Sequence, residues 1–159
     1  MSPTTNTHPY GCYALKAMKE MLTANGVAFT ATLTLDGKAL GMVENRGNGG
    51  CNVYFLGHRD VHETFREFAS TLLPGTVEPD DALIERLWLV AQLNRTRRVN
   101  FVNDGEDPFE SGTYRQFKTD VSFDDAVRYL TGPGYAEKNP KVWVKARNEF
   151  VPATELVTG

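Results

Sequence analysis

Strict alternation over residues 27–35 constrains the fold more than any other part of this 159-residue chain. Apolar side chains at every second position alternate with alanine or threonine, which is typical of a strand with one buried face. Asp36-Gly37 follows at once, and this dipeptide favours a type I′ turn because both residues tolerate positive φ. The sequence therefore predicts a three-stranded antiparallel unit over 27–35, 38–45 and 52–56.

The loop between the second and third of these strands is unusually rich in glycine and asparagine. Because both residue types tolerate left-handed backbone angles, successive N–H groups can converge on one point and bind an anion. The loop therefore predicts a phosphate or carboxylate site, and a tightly bent loop without a ligand is the alternative. The predicted ligand-binding residues are Asn45, Arg46, Gly47, Asn48, Gly49, Gly50 and Asn52.

Apolar spacing of three and four residues predicts helices elsewhere in the chain. Pro79 suits a first helical position, and Ser122 with Asp125 forms a capping box. The predicted helices cover 13–24, 60–72, 79–93 and 122–130. Further strands are predicted over 99–103, 113–118 and 142–144.

These elements predict an α+β fold in which one antiparallel sheet is covered by helices on one face. The predicted order is helix–strand–strand–strand–helix–helix–strand–strand–helix–strand. The length predicts a single domain over 10–151, with a disordered tail over 1–9 and a frayed tail over 152–159. Two small lobes packed through the helix over 79–93 are the alternative.

The net charge of −3 excludes a protein whose whole surface binds nucleic acid, although it allows a local basic patch. No apolar run reaches the length of a membrane span, and the polar start lacks the apolar core of a signal peptide. The chain is therefore expected to act in the cytoplasm without contacting a membrane. No cofactor is expected.

Three side chains could carry chemistry in the middle of the chain. His58 and His62 are four residues apart, so on a helix they could ligate one metal ion, but the sequence offers no evident third ligand. Cys51 lies in an accessible turn and could be the nucleophile of a hydrolase or transferase. No known signature surrounds it. We therefore predict no metal site, no catalytic residue and no enzyme.

A dense cluster of arginines follows the third predicted helix. It comprises Arg95, Arg97 and Arg98, with Arg115 on the predicted partner strand. With an aromatic residue nearby, such as Phe101, the cluster predicts a patch for phosphates or nucleic acid. The alternative is that the arginines neutralise the negative end of the helix dipole.

The acidic residues are expected to be helix caps or solvated side chains without a chemical role. They are Asp80, Asp81, Glu85, Asp104, Glu106, Asp107 and Glu110.

One pattern in the first half of the chain resembles a known group of proteins. It comprises Phe29-x-Ala31-x-Leu33, Asp36-Gly37-Lys38, Gly41, Asn45, Gly47, Gly49-Gly50 and Tyr54. The pattern resembles small uncharacterised proteins encoded by tailed bacteriophages and bacterial mobile elements, in which a helix and a basic stretch running into a strand follow, as in 93–101 here. The resemblance implies a phage-like origin and no particular activity.

The order helix, three strands, helix over 13–73 is also similar to a double-stranded-RNA-binding domain. That family begins its second helix with a lysine cluster for phosphates, whereas this chain has His58-Arg59-Asp60 there.

The phage resemblance and the missing catalytic set together predict a non-enzymatic accessory protein. Its expected activity is to bind and modulate a host protein, such as a component of antiviral defence. The alternative is a nucleotide or nucleic-acid binding module that uses the loop over 45–52 and the arginines over 95–98.

Overall fold

The computed structural model describes residues 9–47 and 50–157, and these residues form an α+β fold. They divide into two compact units, with the boundary between Ala91 and Gln92. The first unit is Tyr10–Ala91, and the second unit comprises Pro9 and the described residues from Gln92 onward. The single domain expected over 10–151 stays a prediction. The disordered tail expected over 1–9 lies outside the described residues, except for Pro9.

A four-stranded antiparallel meander forms the sheet of the first unit, in the order β1-β2-β3-β4. Its strands are β1 (Tyr13–Thr23), β2 (Gly26–Leu35), β3 (Lys38–Asn45) and β4 (Val53–Leu56). Asp36 and Gly37 have φ angles of 52° and 81°, as a type I′ turn requires. The hairpin predicted at this dipeptide is therefore confirmed, together with the three strands around it.

The helix predicted over 13–24 is wrong, because β1 occupies these residues and pairs with β2 from Tyr13↔Leu35 to Thr23↔Gly26. The pairing shifts register between Lys16 and Lys19, where Ala17 has a φ of 52°. Such a bulge inserts one extra residue and breaks the two-residue period. The apolar side chains then fall three and four residues apart, which imitates a helix. Without this helix, the order shared with double-stranded-RNA-binding domains is absent.

Two helices follow the first sheet and contact the same face of it, and the second of them runs on into the second unit from Gln92. They are α1 (Arg59–Leu72) and α2 (Pro79–Arg95), close to the predicted bounds. The ring of Tyr13 on β1 contacts Phe65 of α1, with centroids 4.9 Å apart. Phe29 of β2 contacts Trp88 of α2, with centroids 4.7 Å apart. The predicted covering of one sheet face by helices therefore holds for this sheet.

A second antiparallel sheet lies in the second unit, in the order β6-β5-β7-β8. Its strands are β5 (Asn100–Val102), β6 (Arg115–Gln116), β7 (Lys141–Val144) and β8 (Glu149–Pro152). The predicted hairpin between 99–103 and 113–118 is present as the short pair β5–β6. However, the expectation of one sheet is wrong, because β5 pairs with β7 and β7 pairs with the unpredicted β8.

Short helices and turns pack against the second sheet. They are α3 (Pro108–Ser111), α4 (Phe123–Leu130) and 3₁₀ turns at Ala136–Lys138 and Ala153–Leu156. The Asp125 backbone N–H donates to Ser122 Oγ over 3.0 Å, which confirms the predicted cap of α4. The tail expected to fray over 152–159 is instead part of the fold as far as the structure describes it. Ala153 is only 1% exposed and belongs to the core around Leu130 and Val142.

Candidate functional site

The side chain of Asn45 organises the loop that follows β3. Its Oδ1 accepts a hydrogen bond from the Gly47 backbone N–H over 2.8 Å. Its Nδ2 donates to Gly50 O over 3.3 Å and to Asn52 Oδ1 over 2.9 Å. Asn48 and Gly49 of the predicted ligand set lie outside the described residues. The Asn45 side chain therefore already accepts the hydrogen bond of the Gly47 backbone N–H, which is one of the donors that a bound anion would need.

Gly47 lies against the hairpin between β1 and β2. Its φ is 78°, and an added Cβ would lie 2.9 Å from the Ala28 backbone nitrogen and 3.0 Å from Thr23 Oγ1. Real Cβ atoms do not approach a backbone nitrogen this closely, so either the loop or β2 would have to move. This glycine is therefore required both by its backbone angle and by the space around it.

We expect Gly47→Ala to destabilise the protein more than Gly37→Ala does. Gly37 has a similar φ of 81°, but nothing lies within 4 Å of its added Cβ, so the pair separates steric contact from backbone strain. Overpacking of this kind costs roughly 1–3 kcal/mol. Thermal melts of both variants measure the difference. Equal midpoints would show that the loop adapts freely and is not a rigid element.

A cavity of about 640 Å³ opens in the first unit beside this loop, between the extended β1–β2 hairpin and the first turns of α2. We call it the acidic cavity, because its lining, within the described part of the chain, contains four carboxylates and neither lysine nor arginine. Phe29 and Trp88 supply an aromatic wall. The carboxylates are Glu20, Glu78, Asp81 and Glu85, and the loop contributes Asn45, Gly50, Cys51 and Asn52.

Asp81 is fixed in this cavity by two hydrogen bonds. Tyr54 Oη donates to its Oδ1 over 2.7 Å, and the Asn52 backbone N–H donates to its Oδ2 over 3.4 Å. Burial first and Asp81 second raise the pKa of the Tyr54 phenol, so the phenol remains a donor. The Asn52 N–H, which was predicted to face an anion, points instead to a carboxylate.

A second acidic residue, Asp80, lies behind Asp81 with only 7% of its surface exposed. His62 Nε2 lies 3.0 Å from Asp80 Oδ2, and the His62 ring stacks on Tyr54 with centroids 4.2 Å apart. The Asp81 backbone N–H donates to Asp80 Oδ1 over 3.0 Å. This network holds the start of α2, and with it the carboxylate of Asp81, in a fixed position.

Cys51 faces a carboxylate and not a base. Its Sγ donates to Glu78 Oε1 over 3.1 Å, and this hydrogen bond, together with the negative charge of Glu78, raises the pKa of the thiol. A nucleophilic cysteine needs the opposite environment, which stabilises the thiolate. The geometry therefore does not favour the alternative of a cysteine-dependent enzyme.

The candidate ligands for a metal ion do not include the two histidines. His58 is the residue before α1, and His62 is engaged by Asp80. In the part of the chain that the structure describes, the group of potential ligand atoms within 4.8 Å of one another comprises Cys51, Glu78 and Asp81. These could offer one sulfur and two oxygen ligands, although the Cys51 thiol keeps its proton beside Glu78 and Asp81 already accepts two hydrogen bonds.

The arginine cluster of the second unit is divided in two. Arg115 forms a bidentate pair with Glu106, with Nη2–Oε2 and Nε–Oε1 distances of 2.7 and 3.0 Å. This pair lowers the pKa of Glu106 to about 2, so the charge of Arg115 is neutralised. Arg97 and Arg98 line a different cavity, of about 400 Å³. Phe101, the predicted stacking residue, is buried in the core.

Comparison with known proteins leaves the two cavities without an assignment. The chain matches no protein-family model, no curated protein and no solved structure. The resemblance to phage-encoded proteins therefore stays a prediction. Of the helices in 9–47 and 50–157, none is both long enough and apolar enough to span a membrane.

Proposed function

We propose that this chain is a non-enzymatic, phage-type accessory protein that binds a host protein through a basic side chain held in the acidic cavity. The observation that carries the proposal is the lining of that cavity, in which, among the residues that the structure describes, four carboxylates meet an aromatic wall without any lysine or arginine. Such a protein would act in the cytoplasm of the host cell. The loop over 45–52 forms one side of the site.

The chemistry of the cavity suits a ligand with a cationic head and an apolar stem. Lysine and arginine have this form, since their methylene groups pack on apolar surface while the charge stays near acidic groups. Trp88 lines the cavity beside Phe29, and an indole ring binds cations better than the other aromatic rings do. The volume of about 640 Å³ lies within the range of ordinary ligand sites.

The same geometry argues against an anion in this cavity. A phosphate would lie among Glu78, Asp81 and Glu85, and like charges repel strongly when they are partly removed from water. Arg46 does not offset them, because it is directed to Glu44 with an Nε–Oε2 distance of 3.4 Å. The anion site predicted over 45–52 therefore stays a prediction that these contacts do not favour.

Two further points support an accessory binding protein. The thiol of Cys51 keeps its proton beside Glu78, which leaves the cavity without an activated nucleophile among the residues described. Phe29, Asn45 and Gly50, which belong to the pattern that carries the phage resemblance, all line the cavity. The resemblance and the binding surface thus involve the same stretch of chain.

Nuclear magnetic resonance of the two tryptophan indole N–H groups tests the proposal. We expect a short capped peptide with one arginine among glycine and serine residues to shift the Trp88 signal. The Trp143 signal should stay in place, because Trp143 is buried in the second unit and donates to Asn94 Oδ1. The same peptide with citrulline has no charge and should bind up to about fivefold more weakly, since an exposed ion pair contributes up to about 1 kcal/mol.

Matched charge variants identify the surface. Glu78→Gln/Glu85→Gln should weaken arginine-peptide binding, whereas Glu63→Gln/Glu67→Gln on α1 changes the net charge equally and should leave it intact. Added salt should weaken binding to the wild-type protein, because the contacts are electrostatic and partly exposed. Equal binding of the arginine and citrulline peptides, or equal losses in both double variants, would contradict the proposal.

A further inference from the structure

We infer that a second site, in the second unit, binds a nucleoside phosphate. The site is the cavity of about 400 Å³ lined by Arg97, Arg98, Phe123 and Lys145, which we call the basic groove. It shares no residue with the acidic cavity and takes a ligand of opposite charge. The inference therefore does not depend on the protein partner proposed above.

The guanidinium groups of Arg97 and Arg98 have no acidic partner among the residues that the structure describes. By contrast, Arg128 of this unit lies 2.9 Å from Asp125, and Arg147 lies 2.7 Å from Glu149. The described residues that line the groove also include no carboxylate. The groove is therefore a local positive surface on a chain whose net charge is −3.

The helix dipole does not account for these two arginines. The last turn of α2 ends at Arg95, which suits the negative end of the dipole. The dipole effect falls off within that turn, and Arg97 and Arg98 lie beyond it. Their charges therefore remain available to a ligand.

Lys145 adds a third positive charge in a fixed place. Its Nζ donates to Thr96 O over 2.6 Å, which ties the ammonium group to the segment that carries the arginines. The Arg98 backbone N–H donates to Thr96 Oγ1 over 3.2 Å, so the segment is itself held in a turn. A phosphate in the groove would meet cations whose positions are partly set in advance.

One wall of the groove is aromatic and partly open. Phe123, at the start of α4, is 40% exposed, so part of its ring is open to a ligand. Val121 and Val144 extend the apolar wall. The indole N–H of Trp143 is already donated to Asn94 Oδ1 over 2.8 Å, so Trp143 offers only apolar surface.

Phosphate-binding groups beside an open aromatic ring favour a nucleoside phosphate over an acidic peptide. Arginine forms bidentate hydrogen bonds with phosphate oxygens. Any of the nucleobases can stack on the Phe123 ring, because each of them has a planar π-face. A cavity of about 400 Å³ is at the lower end of ligand-site volumes, which suits a single nucleotide unit. An acidic peptide would leave the aromatic wall without a planar partner.

Calorimetric titration at low salt tests the inference with AMP, ADP, adenosine and inorganic phosphate as probes. We expect AMP and ADP to bind at least about tenfold more tightly than adenosine or phosphate alone, since each half of the ligand contributes separately. Titrations with TMP and with a ten-nucleotide oligothymidylate test whether the bound nucleotide can also belong to a single strand. An affinity for the oligothymidylate equal to or above that for TMP indicates that the strand binds at the same site.

Two sets of variants make the result specific. Arg97→Gln/Arg98→Gln should reduce AMP affinity at least about tenfold, whereas Arg128→Gln/Arg147→Gln removes the same charge from paired arginines and should not. Phe123→Leu should weaken AMP binding while leaving phosphate binding unchanged. The inference is overturned if AMP does not bind, if both double variants lose affinity equally, or if an acidic peptide binds as well as AMP.

Discussion

Phe65→Ala should lower the free energy of unfolding by about 3–5 kcal/mol, the range measured for phenylalanine truncation in packed cores. The Phe65 side chain is fully buried on α1. Its ring contacts Tyr13 on β1 and Tyr54 on β4, with centroids 4.9 and 6.4 Å away. These two strands are the outer strands of the first sheet, so the substitution opens a cavity where α1 joins both of its edges.

Phe55→Ala is the matched control for this substitution. Phe55 lies on β4, one residue from Tyr54, but 54% of its surface is exposed on the opposite face of the sheet. The same atoms are removed, and the expected loss is only about 1 kcal/mol, because about half of the surface of Phe55 is already exposed. Urea denaturation followed by circular dichroism compares the two variants. Equal losses would mean that α1 does not pack on the sheet as the structure shows.

The parts of the fold that could be predicted have local signals. Asp36-Gly37 specifies its own turn, because the required backbone angles belong to those two residues alone. The start of α2 follows in the same way from Pro79, and the start of α4 from Ser122. In each case the residues that determine the structure are neighbours in the sequence.

The predictions that were wrong concern strands whose pairing partners are distant in the sequence. β1 is a strand because it pairs with β2, and its bulge at Ala17 hides the two-residue period that would have identified it. The second sheet exists because β5 pairs with β7, about forty residues away, and strand pairing over such distances leaves no local pattern.

The candidate site shows the same division. The loop after β3 was predicted from its glycines and asparagines, and it does line a cavity. The sign of the ligand's charge could not be predicted, since Glu20 lies on β1 whereas Asp81 and Glu85 lie on α2, and their convergence is a tertiary feature. Likewise, the basic groove gains Lys145 and Phe123 only through the fold of the second unit.

The largest expected effect of a small substitution is at Gly41, on β3. Its φ is 150°, which side chains rarely adopt, and the register between β2 and β3 shifts beside it, between Leu33 and Thr34. An added Cβ would overlap the Phe55 carbonyl oxygen and lie 2.8 Å from Leu56 Cα, both on β4. Because both atoms belong to the backbone, no side-chain rotation relieves the contact.

Gly41→Ala should therefore lower the free energy of unfolding by roughly 2–6 kcal/mol, the sum of backbone strain and overpacking. Gly57→Ala is the control, because Gly57 follows the same strand pair and nothing lies within 4 Å of its added Cβ. Its backbone N–H, which donates to Leu40 O over 3.3 Å, is retained in alanine. Urea denaturation should leave the Gly57 variant near wild type. If the Gly41 variant is as stable as the wild-type protein, β3 and β4 do not pair in this register. The position of Tyr54 beneath the acidic cavity depends on that register.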